Sequence, residues 1–221
     1  MTGIEPYFLG MTETRILPLE LPLFPLGGVI LLPGESLPLN VFEPRYLNMV
    51  DDVREDYGHI GIIQTIDGGE GDKPALAPFG CAGRLEHFEE TEDGRYLIAL
   101  RGVSRFRLEE ELDVPTPYRL AKVSYREFRQ DLEPPVDREA DRERFIRLLQ
   151  AWFNNEGMGL NWEEIMNVPL HNIVDQLAMN APFSPQEKGQ LLVSEDSAAR
   201  LIDMEEIIAG RLASAAGGEP N

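Results

Sequence analysis

Five prolines, at positions 18, 22, 25, 33 and 38, punctuate the most apolar stretch of this chain, RILPLELPLFPLGGVILLPGESLPLNVF, residues 15–42. Each removes a backbone donor and blocks a helix interior, so no helix can run through the stretch. It reads as extended segments with turns at Leu26-Gly27-Gly28 and Pro33-Gly34. Leu37, Leu39 and Val41 alternate onto one face, the period of a half-buried strand.

The period changes at Glu43-Pro44-Arg45-Tyr46. Pro44 suits a first helical position, and Tyr46, Leu47, Val50 and Val53 follow at helical spacing up to Arg54. Strands are then expected at 59–65, 81–89, 95–101, 103–110 and 118–128. A loop is expected over 67–80, a turn at Thr91–Gly94 and a break at Gly102. In 103–110, Phe106 and Leu108 share one face and Arg105, Arg107 and Glu109 the other; Arg101, Arg105 and Arg107 read as a ladder against glutamates of neighbouring strands. After Asp131-Leu132-Glu133-Pro134-Pro135 the pattern is helical. Phe145, Leu148, Leu149 and Trp152 form one apolar stripe, Leu170, Ile173, Val174 and Leu177 another, and Leu201, Met204, Ile208 and Leu212 a third. Asn161 with Glu164, and Ser184 with Glu187, resemble capping boxes. The fold class expected is α+β. Residues 1–14 are expected to be disordered, 15–130 β-rich, 131–213 a bundle of about four helices, and 214–221 a frayed tail.

Charge narrows the partners. The formal net charge of -19 works against phosphate backbones and anionic lipid, whose binding draws on clustered Lys and Arg. No apolar run approaches the ~18 to 20 residues that span a bilayer, and the start lacks a secretory signal pattern. The single cysteine, Cys81, fits a reducing compartment, so a cytoplasmic location is expected.

Three stretches carry a resemblance: LPLFPLGGVILLPGESLPLNVFEPRYLNMV (21–50), FGCAGRLEHFEETEDGRYLIALRGVSRFRL (79–108) and LAMNAPFSPQEKGQLL (177–192). Together they resemble the Lon protease amino-terminal, substrate-binding domain family, in its free-standing form. Gly189 departs from that pattern, which carries Gln there. The resemblance implies a PUA-like β pseudobarrel followed by a C-terminal helical bundle. It also implies a non-enzymatic role in recognising unfolded or degron-bearing polypeptides, as an adaptor working with a protease or chaperone partner.

The residues themselves offer little chemistry. No Gly-Lys pair exists, so a Walker loop is excluded within this sequence. The three lysines (Lys73, Lys122, Lys188) lie in polar settings that do not suit a Ser-Lys dyad. His59, His87, His171 and Cys81 lack metal-ligand spacing, and no cofactor is expected. His171 reads as a helix-surface partner of Asp175, and Cys81 as a small buried hydrophobe. The candidate polypeptide-binding residues are Phe24, Phe42, Glu43, Arg45 and Tyr46. For Glu43 and Arg45 a local role stands beside this: a carboxylate favoured at a helix N-terminus and an arginine paired with it. Two alternatives stay open. One is nucleic-acid binding, against which the charge argues. The other is a small-ligand pocket, for which Trp152 and Trp162 lie in predicted helices outside the barrel.

Overall fold

A computed structural model describes residues 17–55, 58–70, 73–134, 141–159 and 161–216. The expected disorder of residues 1–14 lies outside them. Six strands, β1 (Glu20–Leu26), β2 (Ser36–Val41), β3 (His59–Glu70), β4 (Lys73–Glu90), β5 (Tyr96–Leu112) and β6 (Arg119–Ser124), form one sheet in the order β2-β5-β4-β3-β1-β6. β6 also pairs with β5, so β1, β3, β4, β5 and β6 close into a barrel. All contacts are antiparallel except β1 on β3. A parallel neighbour needs a crossover, and helix α1 (Pro44–Arg54) lies within it.

The barrel interior is filled by Leu21, Leu23, Ile63, Ala82, Phe106, Ala121 and Val123. Alternation sends the neighbouring residues Phe24, Ile62 and Cys81 outward. There they join a larger core with α1 and with the helices α2 (Arg142–Asn155), α4 (Leu170–Asn180), α5 (Pro185–Val193) and α6 (Ser197–Ala216). Thus one continuous apolar cluster ties the barrel's outer wall to the helices. With α3 (Trp162–Ile165), a single turn, five α-helices follow the barrel among the described residues. The three predicted stripes face this core: Phe145, Leu149, Trp152, Leu170, Val174, Leu201, Met204 and Ile208 are buried. Ser184 and Glu187 close a reciprocal capping box at the start of α5. The side chain of Glu164, half of the other expected box, lies outside the described residues.

Several expected boundaries shift for physical reasons. The loop expected at 67–80 is largely an extension of the β3–β4 hairpin, with a register irregularity between Ile66 and Gly69. The 95–101 and 103–110 strands are one, because Gly102 does not break β5. It gives the Leu32 carbonyl room: a Cβ at 102 would collide with that oxygen. The strand expected at 118–128 ends at Ser124, and a 3-10 helix, Arg126–Leu132, follows with Phe128 turned inward. The expected 130/131 boundary falls inside this helix. At the C-terminus α6 continues to Ala216, so residues 214–216 are helical; 217–221 lie outside the described residues.

The arginine ladder is also redrawn. Arg107 pairs with Glu127 of the 3-10 helix at 2.9 Å. Arg105, 1% exposed, pairs with Asp131 at 2.6 Å. The rungs between strands are Arg119–Glu111 at 2.5 Å and Lys122–Glu110 at 3.0 Å, joining β6 to β5. Asp175 likewise turns inward, 7% exposed, and pairs with Arg200 at 2.5 Å. Burial pushes its carboxyl above the usual range, against the opposing pull of Arg200.

Candidate functional site

Among the described residues β2 is the edge strand of the sheet. Within the described residues it pairs with β5 alone, from Ser36↔Arg101 to Val41↔Tyr96. A proline at 38 is tolerated because the strand lies at an edge. Two bonds set the phase of this ladder: the Gly34 N–H donates to the Gly102 carbonyl at 2.9 Å, and the Gly102 N–H to the Glu35 carbonyl at 2.9 Å. Antiparallel pairs alternate, so Leu37, Leu39 and Val41 bond to β5. The backbone groups of Ser36, Pro38 and Asn40 therefore point away from the sheet.

At the end of this edge the five candidate residues separate into two groups. Glu43 is the N-cap of α1, in extended conformation (φ -74, ψ 131), with Pro44 in the first turn. Its carboxylate sits where the helix dipole favours negative charge and accepts from Arg45 Nη2 at 2.7 Å and Nε at 3.0 Å. The Arg45 guanidinium lies 4.6 Å from the centre of the Tyr46 ring. Tyr46 stacks on Phe24 at 4.2 Å with planes 15° apart. Arg45, Tyr46 and Phe24 thus form a column from surface to core, with Phe24 and Tyr46 buried. Burial raises the Tyr46 hydroxyl pKa, and Arg45 opposes the shift. The column anchors α1 and leaves little of its aromatic surface for a ligand.

Phe42 stands apart. It is 62% exposed and turns to the outer face of the sheet, where the Arg95 guanidinium lies 5.9 Å from its ring centre. Leu97, opposite Asn40 in the β2–β5 ladder, is 38% exposed nearby along the same strand. Sequence reading picked out Phe42 but passed over Arg95, Leu97 and Asn40. The signal available was Tyr96-Leu97-Ile98-Ala99-Leu100, an apolar run in which both faces of β5 carry hydrophobic side chains. Beneath α1, the Tyr96 and Tyr118 hydroxyls donate to Asp51 at 3.1 Å and Asp52 at 2.7 Å. Burial, reinforced by the Asp52 contact, pushes Tyr118 up to about 12.

A concavity of about 480 Å³ lies in the seam between barrel and helices and is lined by Glu35, Arg101, Arg105, Asp131, Asp175 and Arg200 among others. Its deep charges are already matched, Arg105 to Asp131 and Arg200 to Asp175. The Glu35 carboxylate accepts from the Asn172 and Gln176 side-chain amides. The seam is a structural clasp. Trp152 is fully buried, stacked on Phe183 at 5.1 Å and edge-on to Phe153, so it forms no open aromatic cage.

Against known proteins, residues 20–210 match the family model of the ATP-dependent protease La (LON) substrate-binding domain. The chain belongs to the LON substrate-binding domain family. It is 31% identical over 109 residues to a Lon protease of Roseiflexus castenholzii, covering 49% of this chain and 14% of that protein. To a Lon protease of Desulfosudis oleivorans it is 24% identical over 205 residues, 90% of this chain and 21% of that one. The chain therefore spans a small fraction of the curated Lon proteases that it matches. The crystal structure of a Lon N-terminal domain protein from Xanthomonas campestris is 28% identical and superposes with a TM-score of 0.58, covering 84% of this chain and 96% of that one. The N-terminal domain of a Mycobacterium avium complex Lon protease, at 16% identity and a TM-score of 0.59, shares the fold. The α+β architecture of PUA-like pseudobarrel and helical bundle is that of the LON domain. Gly189 lies against buried Gln64: a Cβ there would sit 3.3 Å from the Gln64 Oε1. No described helix is long and apolar enough to cross a membrane.

Proposed function

We propose that this protein is a non-enzymatic polypeptide-binding module of the cytoplasm, recognising unfolded or degron-bearing chains and presenting them, as an adaptor, to a protease or chaperone partner. The observation that carries this reading is Phe42: a large aromatic side chain, 62% exposed, at the end of the open edge of an otherwise closed barrel. A few anchor side chains carry most of the energy of a protein interface, and an exposed aromatic at an open sheet edge is placed to serve as one. Membership of the LON substrate-binding domain family and likeness to Lon proteases support it.

The charges favour polypeptide over nucleic acid. Arg107, Arg119, Lys122, Arg144 and Arg211 each face a carboxylate, so the exposed cations are largely neutralised by neighbours. Calorimetric titration with a reduced and alkylated, permanently unfolded protein tests the reading. Wild-type protein is expected to bind, and Phe42→Ser to weaken binding roughly 5- to 30-fold, the range for losing an aromatic anchor of ~1 to 2 kcal/mol. Failure of the wild-type chain to bind any unfolded protein sinks the proposal.

A further inference from the structure

We propose that two copies of this chain meet, about a two-fold axis, across the groove between the start of β1 and the 3-10 helix. This interface is independent of the polypeptide-binding reading, since neither Phe42 nor any residue of β2 lines the groove. The groove has a volume of about 510 Å³, with buried Val123 and Phe128 beneath it. Leu19 and Leu132 flank it, 68% and 63% exposed, more than any other large apolar side chain among the described residues. Apolar side chains gathered and rimmed by polar groups in this way mark an interaction surface.

The charges on the rim identify the partner. At one end, Lys122 donates to Glu110 at 3.0 Å. Glu20, opposite Lys122 on β1, and Glu109, beside Glu110 on β5, line the groove and form no ion pair among the described residues. One lysine there serves three carboxylates. At the other end Arg126 and Arg129 line the groove, exposed and likewise unpaired. Their acidic neighbours are already taken, Glu127 by Arg107 and Asp131 by Arg105. Three residues make one 3-10 turn, and Arg126, Arg129 and Leu132 all reach the groove. Between the two ends lies ~10 Å of β6 and the residue after it, from Lys122 to Tyr125.

Surplus carboxylates and surplus guanidiniums thus lie at opposite ends of one apolar groove. A two-fold axis through its middle brings each acidic end onto the basic end of the other copy, and the leucines onto their counterparts. A foreign peptide would need the same charges in reverse order; a second copy carries them by construction. The net charge of -19 acts the other way over longer range. At ~10 mM salt the screening length of ~30 Å spans the molecule and copies repel, whereas at ~150 mM, with ~8 Å, the close contacts dominate.

Sedimentation equilibrium of the full chain, up to ~1 mM, tests this. Wild type is expected to dimerise, and more tightly at ~150 mM than at ~10 mM salt. Two variants each reverse one end: Arg126→Glu with Arg129→Glu, and Glu20→Arg with Glu109→Arg. All four side chains are exposed, and melting curves check that both variants fold. Each alone is expected to dimerise at least ~10-fold more weakly, because like charges then meet at both ends. The second variant lowers the net negative charge, so its weaker association cannot come from overall repulsion. Mixed one to one, the variants are expected to form a heterodimer of near wild-type affinity, since every contact is again between opposite charges. A monomer at every concentration and salt overturns the proposal, as does a mixture that associates no better than either folded variant alone. A monomer whose binding of unfolded protein is lost in either variant would assign the groove to a foreign chain, and also overturns it.

Discussion

Arg105 holds Asp131 from three directions at once. Its backbone N–H donates to Oδ2 at 2.7 Å, its Nε lies 3.0 Å from the same oxygen, and its Nη2 reaches Oδ1 at 2.6 Å. The remaining guanidinium hydrogens go to the carbonyls of Leu192, in the last turn of α5, and of Ser194 and Glu195, between α5 and α6. One side chain on the barrel therefore fastens the 3-10 helix and the last helical hairpin together. A buried pair of this kind is costly to break from one side, since the survivor stays buried without a partner. Arg105→Leu is expected to lower unfolding free energy by ~3 to 5 kcal/mol. Arg107→Leu, two residues along, removes a side chain that is 57% exposed and should cost at most ~1 kcal/mol. Urea titration of the two variants checks the contrast.

Acid should loosen the start of α5 through Glu187. The Arg211 guanidinium and the Ser184 N–H hold its carboxyl well below the ordinary value of 4.5, at about 2, against a partial opposing effect of burial. A depressed carboxylate contributes stability above its unfolded pKa and loses it as pH falls through the folded one. The contribution is therefore complete above about pH 4.5 and vanishes toward pH 2. Denaturation midpoints between pH 2 and 5 should fall more gently in Glu187→Gln than in wild type. Equal slopes would show that this group does not govern the window.

Cys81 should behave as part of the core. It is fully buried, and burial drives its thiol far above the ordinary range, so almost no thiolate exists at neutral pH. Labelling by a maleimide is expected to follow global unfolding, slow in buffer and rapid in concentrated urea. Fast labelling of native protein would contradict this burial.

Gly102→Ala is expected to be strongly destabilising despite its small size. The added methyl would have to displace the Leu32 carbonyl, which belongs to backbone and cannot rotate aside. Overpacking of this kind costs ~1 to 3 kcal/mol or more. Gly94→Ala, where a Cβ meets open space but φ is 76°, isolates the conformational part of the penalty. Paired melting curves separate the two.

How much of this was legible in the residues depended on the range of the interaction. Pro44 beginning α1, the capping box of Ser184 and Glu187, and the stripe from Phe145 to Trp152 are local patterns, and each appears as expected. Gly102 misled because a glycine that ends a strand and one that admits a distant carbonyl look alike in sequence. Arg105 misled for a related reason. Alternation placed it opposite Phe106, and Phe106 does fill the barrel. The far side is buried as well, under a connection nearly ninety residues downstream. At the candidate site, Phe24 and Phe42 were indistinguishable as aromatics in the proline-rich stretch. Only the closure of the barrel makes one a support and leaves the other exposed.

Pro38 also governs what two copies of this chain can do to each other. Were β2 of one molecule to pair head-to-tail with β2 of another, proline would face proline at the centre of the shared ladder. Both central hydrogen bonds would be missing, and the two ends alone would hold. The same proline that an edge strand tolerates therefore makes that edge a poor template for a second copy of itself.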